Sequence, residues 1–297
     1  MQLNARGLLN VEHWREQGSR GDGEQTWWEE RFGGSTDSKP RGPESVALDI
    51  SFLGYQHVYG VPEHASSLSL KETTGVGKNA YSEPYRLYNT DVFEYELDSP
   101  MTLYGSIPFM QAHKSNSTAG VFWLNGAETW IDIEKSRAGT HTHWISEAGV
   151  LDVFIFLRDT PKDVLAEYTA ITGTTQMPQE FAVGHHQCRW NYVTDDDVKD
   201  VASLFDTHNI PLDAMWLGIE WSDEKKYFLW DQLKSSNPTG MHDHLDRLGR
   251  KQVLVLDSHI KLDRSYEHLK QLEQKGLAVK LKDNEQLFIG KCWPGSS

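Results

Sequence analysis

The stretch Phe181-Ala-Val-Gly-His-His-Gln-Cys-Arg-Trp-Asn-Tyr192 decides how this chain divides. Its first half is an apolar run closed by two histidines, which predicts a buried strand. Its second half is a knot of large polar and aromatic side chains. A helix pattern begins at once at Thr194, with Val198, Val201, Ala202 and Phe205 on one face. Two more strand-then-helix patterns follow, with strands at Asp213–Ile219 and Gln252–Ile260. Their helices are expected around Met241, Leu245 and Leu248, and around Tyr266, Leu269 and Leu272, the last ending at Gly276. Strand and helix alternate at roughly 35 residues, which predicts a parallel sheet with helical crossovers. Polar side chains gathered just after such strands sit where parallel β/α folds carry their chemistry.

Ahead of Phe181 the pattern is different. Val46–Phe52 mostly alternates, Val121–Asn125 and Thr129–Ile133 are rich in β-formers, and Leu151–Leu157 suits a buried strand. Turn residues at Gly75–Asn79 and Lys114–Thr118 separate them, as in a sandwich. Thr160-Pro-Lys-Asp163 reads as a helix start. Val164, Leu165, Tyr168 and Ile171 would share one face of that helix, which would bridge to the β/α part, and Gly173 would end it. Residues 10–42 are polar and Gly-rich and read as a loop or poorly ordered insertion, with Trp27, Trp28 and Phe32 pinning part of it down.

Composition narrows the function. The net charge of −14, with no Lys/Arg run, argues against a nucleic-acid surface. No apolar stretch approaches a membrane span, and the start of the chain shows no signal peptide. The eleven Trp suit either sugar stacking or a sandwich core, and composition alone favours the core. Cys188 and Cys292 lack metal-ligand spacing and read as free thiols. Asn116-Ser-Thr118 is a glycosylation sequon. Asp195–Asp197 read as carboxylates at a helix N-terminus rather than a metal site. His141 and His143 read as exposed strand residues, and no cofactor is expected.

Six stretches in order carry a family resemblance: Tyr59–His64, Tyr85–Phe93, Gly184–Tyr192, Trp216–Glu220, Asp257–Lys261 and Cys292–Gly295. Together they resemble glycoside hydrolase family 31, nearest the neutral α-glucosidases of the glucosidase II type. The resemblance implies a galactose-mutarotase-like β-sandwich followed by a TIM barrel that is incomplete here, with about three β/α units. Expected boundaries are 1–44 for a partly irregular N-terminal segment, 45–180 for the sandwich with its linking helix, and 181–297 for the partial barrel. It also implies an α-linked glucose oligosaccharide or N-glycan as substrate, a glucosidase II β-subunit as a partner, and the endoplasmic reticulum lumen as the family's location.

By resemblance, Trp190, Ile219 and Trp293 would line the pocket for the reacting sugar, and Asp91 and Phe93 would reach the acceptor sugar. Tyr59, Glu63 and His64 read as structural. A retaining glycosidase needs a nucleophile and an acid/base about 5–5.5 Å apart. The family's Trp-x-Asp-Met-Asn-Glu nucleophile motif is absent before Ser297, so no catalytic residue is assigned and the chain alone is expected to be inactive. Glu220 and Asp257 sit near the C-terminal ends of expected strands but match no catalytic position of the family. Gly218 stands where the family carries an Asp that holds sugar hydroxyls. The alternative reading is a non-catalytic carbohydrate-binding or partner-binding module. An aldose-epimerase-like sandwich enzyme is weaker, because no Glu/His pair is evident for it.

Overall fold

The computed structural model describes residues 1–12, 28–32, 35–39, 45–73, 80–92, 94–282 and 286–297. Two compact units are present, Met1–Thr175 and Gln176–Ser297. The first contains β1 (Gln2–Leu3), β2 (Asn10–Glu12), β3 (Trp28–Phe32), β4 (Ser35–Lys39), β5 (Ser45–Leu53), β6 (Val58–Gly60), β7 (Tyr85–Leu87), β8 (Phe109–Lys114), β9 (Ser117–Trp123), β10 (Thr129–Ser136), β11 (Gly139–Ser146), β12 (Val153–Arg158) and α1 (Pro161–Thr172). One antiparallel sheet runs β1-β5-β11-β10-β7, with β2 also on β5; a second runs β12-β9-β8-β6.

Alternation along β10 and β11 turns Ile131, Ile133, Thr142 and Trp144 inward. The apolar three meet Val58, Met110, Val121 and Trp123 of the other sheet in one core. Trp123 and Trp144, from opposite sheets, stack with centroids 5.8 Å apart. Each indole N–H is also satisfied, donating to Ser146 Oγ and Thr142 Oγ1 respectively, both at 2.9 Å. These two tryptophans thus serve the core.

The partly irregular segment expected over 1–44 contains short strands among its described residues. β1 and β2 pair with β5, and β3 and β4 form a separate hairpin. Short polar strands carry too little alternation to be read in advance. Trp27 and most of 13–44 lie outside the described residues, and so do the turn at 75–79 and Phe93. His141 and His143 are half-buried rather than exposed, because the outer face of β11 is flanked by side chains on both neighbouring strands. The His141 ring hydrogen-bonds to Ser51 Oγ at 2.9 Å and Ser136 Oγ at 3.2 Å; His143 Nε2 is buried without a partner among the described residues. Asn116 of the sequon is exposed in the β8–β9 turn, with φ of 55°.

Helix α1 starts as expected, with Thr160 Oγ1 accepting from the Asp163 N–H at 3.3 Å. It packs on β9 and β12, and Val164 and Tyr168 meet Phe122 and Phe156 of those strands and Phe109 of β8. Leu165 and Ile171 are a correction: they are 41% and 48% exposed. Only the 164/168 pair, one turn apart, meets the phenylalanine platform. The close approach depends on Gly120, where a Cβ would fall 2.6 Å from Val164 Cγ1.

The second unit contains β13 (His186–Gln187), α2 (Asp195–Thr207), β14 (Ala214–Leu217), α3 (Pro238–Arg247), β15 (Lys251–Leu254), α4 (Glu267–Gln274), β16 (Lys291–Cys292) and β17 (Gly295–Ser296). β13, β14 and β15 are parallel and lie in chain order. The buried strand expected from Phe181 is a correction. Glu180–Val183 is a 3-10 turn, Val183 is 71% exposed, and pairing begins only at His186. Asp213 sits at that start: its carboxylate accepts the His185 N–H at 2.8 Å, and it leaves no room for a Cβ at Gly184. Val198 and Ala202 of α2, Met241 and Leu245 of α3, and Met215 and Leu217 of β14 form the core. A capping box closes the start of α2, with Asp197 N–H on Thr194 Oγ1 at 3.1 Å and Thr194 N–H on Asp197 Oδ2 at 3.0 Å. Asp195 is buried and accepts the Asn237 N–H. Two of the three acidic residues, Asp195 and Asp197, thus serve helix ends.

Gly120→Ala is expected to lower stability by about 1–3 kcal/mol through overpacking against Val164. Urea unfolding of the single and double variants checks it. The cost should shrink in a Val164→Ala background, and equal costs in both would contradict the contact.

Candidate functional site

Each strand of the parallel sheet runs into a polar and aromatic segment at its C-terminal end. After β13 comes Cys188–Tyr192. Gln187 Nε2 donates to the buried Tyr192 hydroxyl at 2.9 Å, and the Arg189 guanidinium lies over the Tyr192 ring at 4.5 Å. Trp190 between them is 83% exposed. Its side chain makes one hydrogen bond among the described residues, from the indole N–H to Glu220 Oε1 at 3.2 Å.

After β14, Gly218 leads into the short turn Ile219–Trp221. Glu220 Oε2 also faces Lys234 Nζ at 3.7 Å. Trp221 turns inward and donates to Val255 O at 3.1 Å, so it ties the end of β14 to that of β15. A Cβ at Gly218 would meet nothing within 4 Å, and its φ of −68° lies outside the left-handed region that favours glycine.

After β15 comes Asp257. Its Oδ2 accepts two bonds, from the Tyr227 hydroxyl at 2.7 Å and from the Trp293 indole N–H at 2.5 Å. The phenol first, and then the indole, holds the Asp257 carboxyl below the usual carboxylate range. Burial, and then the bond to Asp257, pushes the Tyr227 phenol well up. Trp293 stands edge-on to Tyr227 and His259, at 5.7 and 5.3 Å between centroids. Lys225 Nζ lies 5.5 Å from the Trp293 ring centre. His259 Nε2 is buried in this cage without a partner among the described residues.

Tyr227 is held by its own supports. The Tyr266 hydroxyl donates to its carbonyl. Next to it Lys226 is 7% exposed between Glu224 at 2.8 Å and Asp263 at 2.9 Å, and those two carboxylates keep its ammonium well above the usual range. Lys261 Nζ donates to Glu224 O at 2.8 Å. Sequence reasoning assigned no role to Tyr227 or Lys226, because they lie between strand and helix with no periodicity to mark them; His259 fell inside the strand expected over 252–260, but β15 ends at Leu254 and leaves it in the segment that follows. The ion pair from Lys226 to Asp263 joins residues distant in the chain, so no local spacing announces it.

Of the expected site residues, Trp190 falls on the Glu220 carboxylate, and Ile219 precedes Glu220 in the turn after β14. Trp293 falls on the Asp257 carboxylate. Trp190 makes no ring contact with another aromatic among the described residues. Asp91 is in the loop after β7 of the first unit, exposed, and Phe93 lies outside the described residues. Tyr59 is half-buried in β6, Glu63 Oε2 accepts the Gly105 N–H at 2.9 Å, and the His64 ring bonds to the Val61 and Arg86 carbonyls. Cys188 and Cys292 are free and exposed. Among the described residues no group of three or more His, Cys, Asp or Glu is placed to hold a metal ion, and no helix is long and apolar enough to cross a membrane.

Two family models match the chain in order. Residues 1–132 match the glycosyl hydrolase 31 N-terminal galactose mutarotase-like domain, and residues 175–297 match the glycosyl hydrolases family 31 TIM-barrel domain. The chain is 50% identical over 303 aligned residues to glucosidase 2 subunit alpha of Schizosaccharomyces pombe, covering 99% of this chain and 33% of that protein. It is 43% identical to neutral alpha-glucosidase AB of Sus scrofa, covering 100% of this chain and 36% of that one. A crystal structure of an ER glucosidase II heterodimer, of catalytic subunit and the binding domain of the regulatory subunit, superposes with a TM-score of 0.84 at 58% identity, covering 99% of this chain and 33% of that one. The chain therefore spans about a third of the length of these relatives.

The Asp257 bonds set a pH expectation. A carboxylate with a lowered pKa keeps its bonds above the ordinary range, near ~3.9, and loses them as pH falls through the lowered value. The emission difference between the chain and its Trp293→Phe variant should stay constant from neutral pH down to that range and change only below it. A midpoint between pH ~5 and ~6 would contradict the arrangement.

Proposed function

The chain belongs to glycoside hydrolase family 31, and from that premise we propose that it is the sugar-holding part of an α-glucosidase of the glucosidase II α-subunit kind. The observation that carries this reading is the row of aromatic and carboxylate groups after β13, β14 and β15, on the side of a β/α fold where substrates bind. Trp190 offers an exposed indole face and Trp293 an indole edge fixed by Asp257. In this reading Trp190, Ile219 and Trp293 line the subsite of the reacting glucose, and Asp91 and Phe93 meet the acceptor sugar. The substrate is an α-linked glucose oligosaccharide, with a glucose-capped N-glycan as the finer assignment. The proposed setting is the endoplasmic reticulum lumen, with a regulatory β-subunit as partner.

Holding a sugar is not cleaving it. Retaining hydrolysis needs a carboxylic acid to protonate the leaving oxygen and a free carboxylate to attack the anomeric carbon. Asp257 is kept ionised by its two donors, so it has no proton to give. Glu220 is engaged by Trp190 and Lys234. Both work as supports for their partners. Gly218 favours a second reading, a module that binds carbohydrate without turnover, because it offers no side chain to orient the ring hydroxyls.

The test is an assay on a chromogenic α-glucoside. The 297-residue chain should give no turnover above a heat-killed control. A chain extended to the length of the relatives should turn over if it supplies the missing carboxyls, and Gly218→Asp in that chain should raise kcat. The space around Gly218 leaves room for the new Cβ. Turnover by the short chain would refute the reading of its carboxylates. An unchanged kcat on Gly218→Asp would refute the role given to that position.

A further inference from the structure

The first unit carries a cleft of about 550 Å³ at the open ends of β7 and β10, lined among others by Tyr88, Asn89, Ser106, Asn125, Glu128 and Glu147. Its size falls in the range of small-molecule sites. Two of its lining residues, Tyr88 and Glu128, belong to a cluster built on Arg86 behind them. Arg86 pairs across β7 and β10 with Trp130. Its guanidinium lies 4.9 Å from the Trp130 ring centre and 4.4 Å from that of Tyr88. Glu128 locks the guanidinium with an ion pair. Tyr88 itself is 48% exposed. An aromatic ring is thus fixed in place with part of its surface in water, which lowers the ordering cost of binding.

The polar groups divide in two. Asn125 is engaged: its Nδ2 donates to Ala148 O and its Oδ1 accepts the Ala127 N–H, at 2.9 and 2.8 Å. By contrast, the side chains of Asn89, Ser106 and Glu147 make no hydrogen bond among the described residues. They offer an amide, a hydroxyl and a carboxylate, a mixed set of donors and acceptors. Arg86 already neutralises Glu128, so the charge left over in the cleft is that of Glu147, which disfavours anions. An aromatic ring beside such donors and acceptors matches a ligand ring with an apolar face and a rim of hydroxyls.

We infer that this cleft binds a neutral hexose unit of a saccharide, stacked on Tyr88 and hydrogen-bonded by Asn89, Ser106 and Glu147. The inference rests on the cleft's own chemistry and does not need the catalytic reading. The probes are methyl α-glucoside, methyl α-mannoside and glycerol, titrated into the 297-residue chain by isotope-edited NMR. At least one glycoside should perturb the amides of the cleft residues, and glycerol at equal concentration should not. Tyr88→Ala should weaken that perturbation by about tenfold in apparent Kd, a change of ~1.4 kcal/mol. Tyr88→Phe should retain it, which separates loss of the ring from loss of the fold, and Trp190→Ala should leave it unchanged. No perturbation by either glycoside, an equal response to glycerol, or full retention in Tyr88→Ala would overturn the inference. Binding lost in Trp190→Ala and kept in Tyr88→Ala would overturn it too, while leaving the proposed function standing.

Discussion

A single carboxylate oxygen, Asp257 Oδ2, receives both the Tyr227 phenol and the Trp293 indole, and the polar side of the second unit is arranged around that junction. An indole N–H has one donor and nothing to accept with, so a fixed acceptor fixes the ring. Trp190 repeats the device on Glu220. The junction is anchored in turn: Tyr227 stacks on the buried Trp221, whose own N–H ties β14 to the segment after β15. Aromatic rings near water are thus held by a chain of contacts that ends in the core.

That arrangement separates positioning from chemistry. A carboxylate that accepts two charge-assisted bonds stays ionised and stays put, which suits a support and not a proton donor. The first unit uses a related device in its core, where Trp123 and Trp144 stack and each donates to a buried hydroxyl. These four tryptophans fall into two uses, and the partner of the N–H tells them apart: a buried hydroxyl in the sandwich, an outlying carboxylate beside the parallel strands.

Much of this was legible in the sequence. The 3.6-residue pattern of α2 and its Thr194 cap, the parallel order of three strands, and the alternation of β10 and β11 all follow from local rules. The six ordered motifs pointed to the family. The start of β13 was not legible, because an apolar run cannot reveal that residues 180–183 form a 3-10 turn and that the Asp213 carboxylate takes the His185 N–H just ahead of the first strand pair at His186. The exposure of Leu165 and Ile171 depends on how far the phenylalanine platform extends, which is a property of the folded sheet. Trp190 and Trp293 were named from the resemblance, but their carboxylate partners lie 30 and 36 residues away and appear only in three dimensions.

In the proposed function, Glu220 and Asp257 present the indoles of Trp190 and Trp293 to a sugar. The most direct measurement follows the indole N–H resonances of the eleven tryptophans while an α-linked glucose disaccharide is added. The Trp190 and Trp293 signals should move together along one saturable curve, while those of the buried Trp123 and Trp144 stay fixed. Unmoved Trp190 and Trp293 signals at saturating disaccharide would contradict that role.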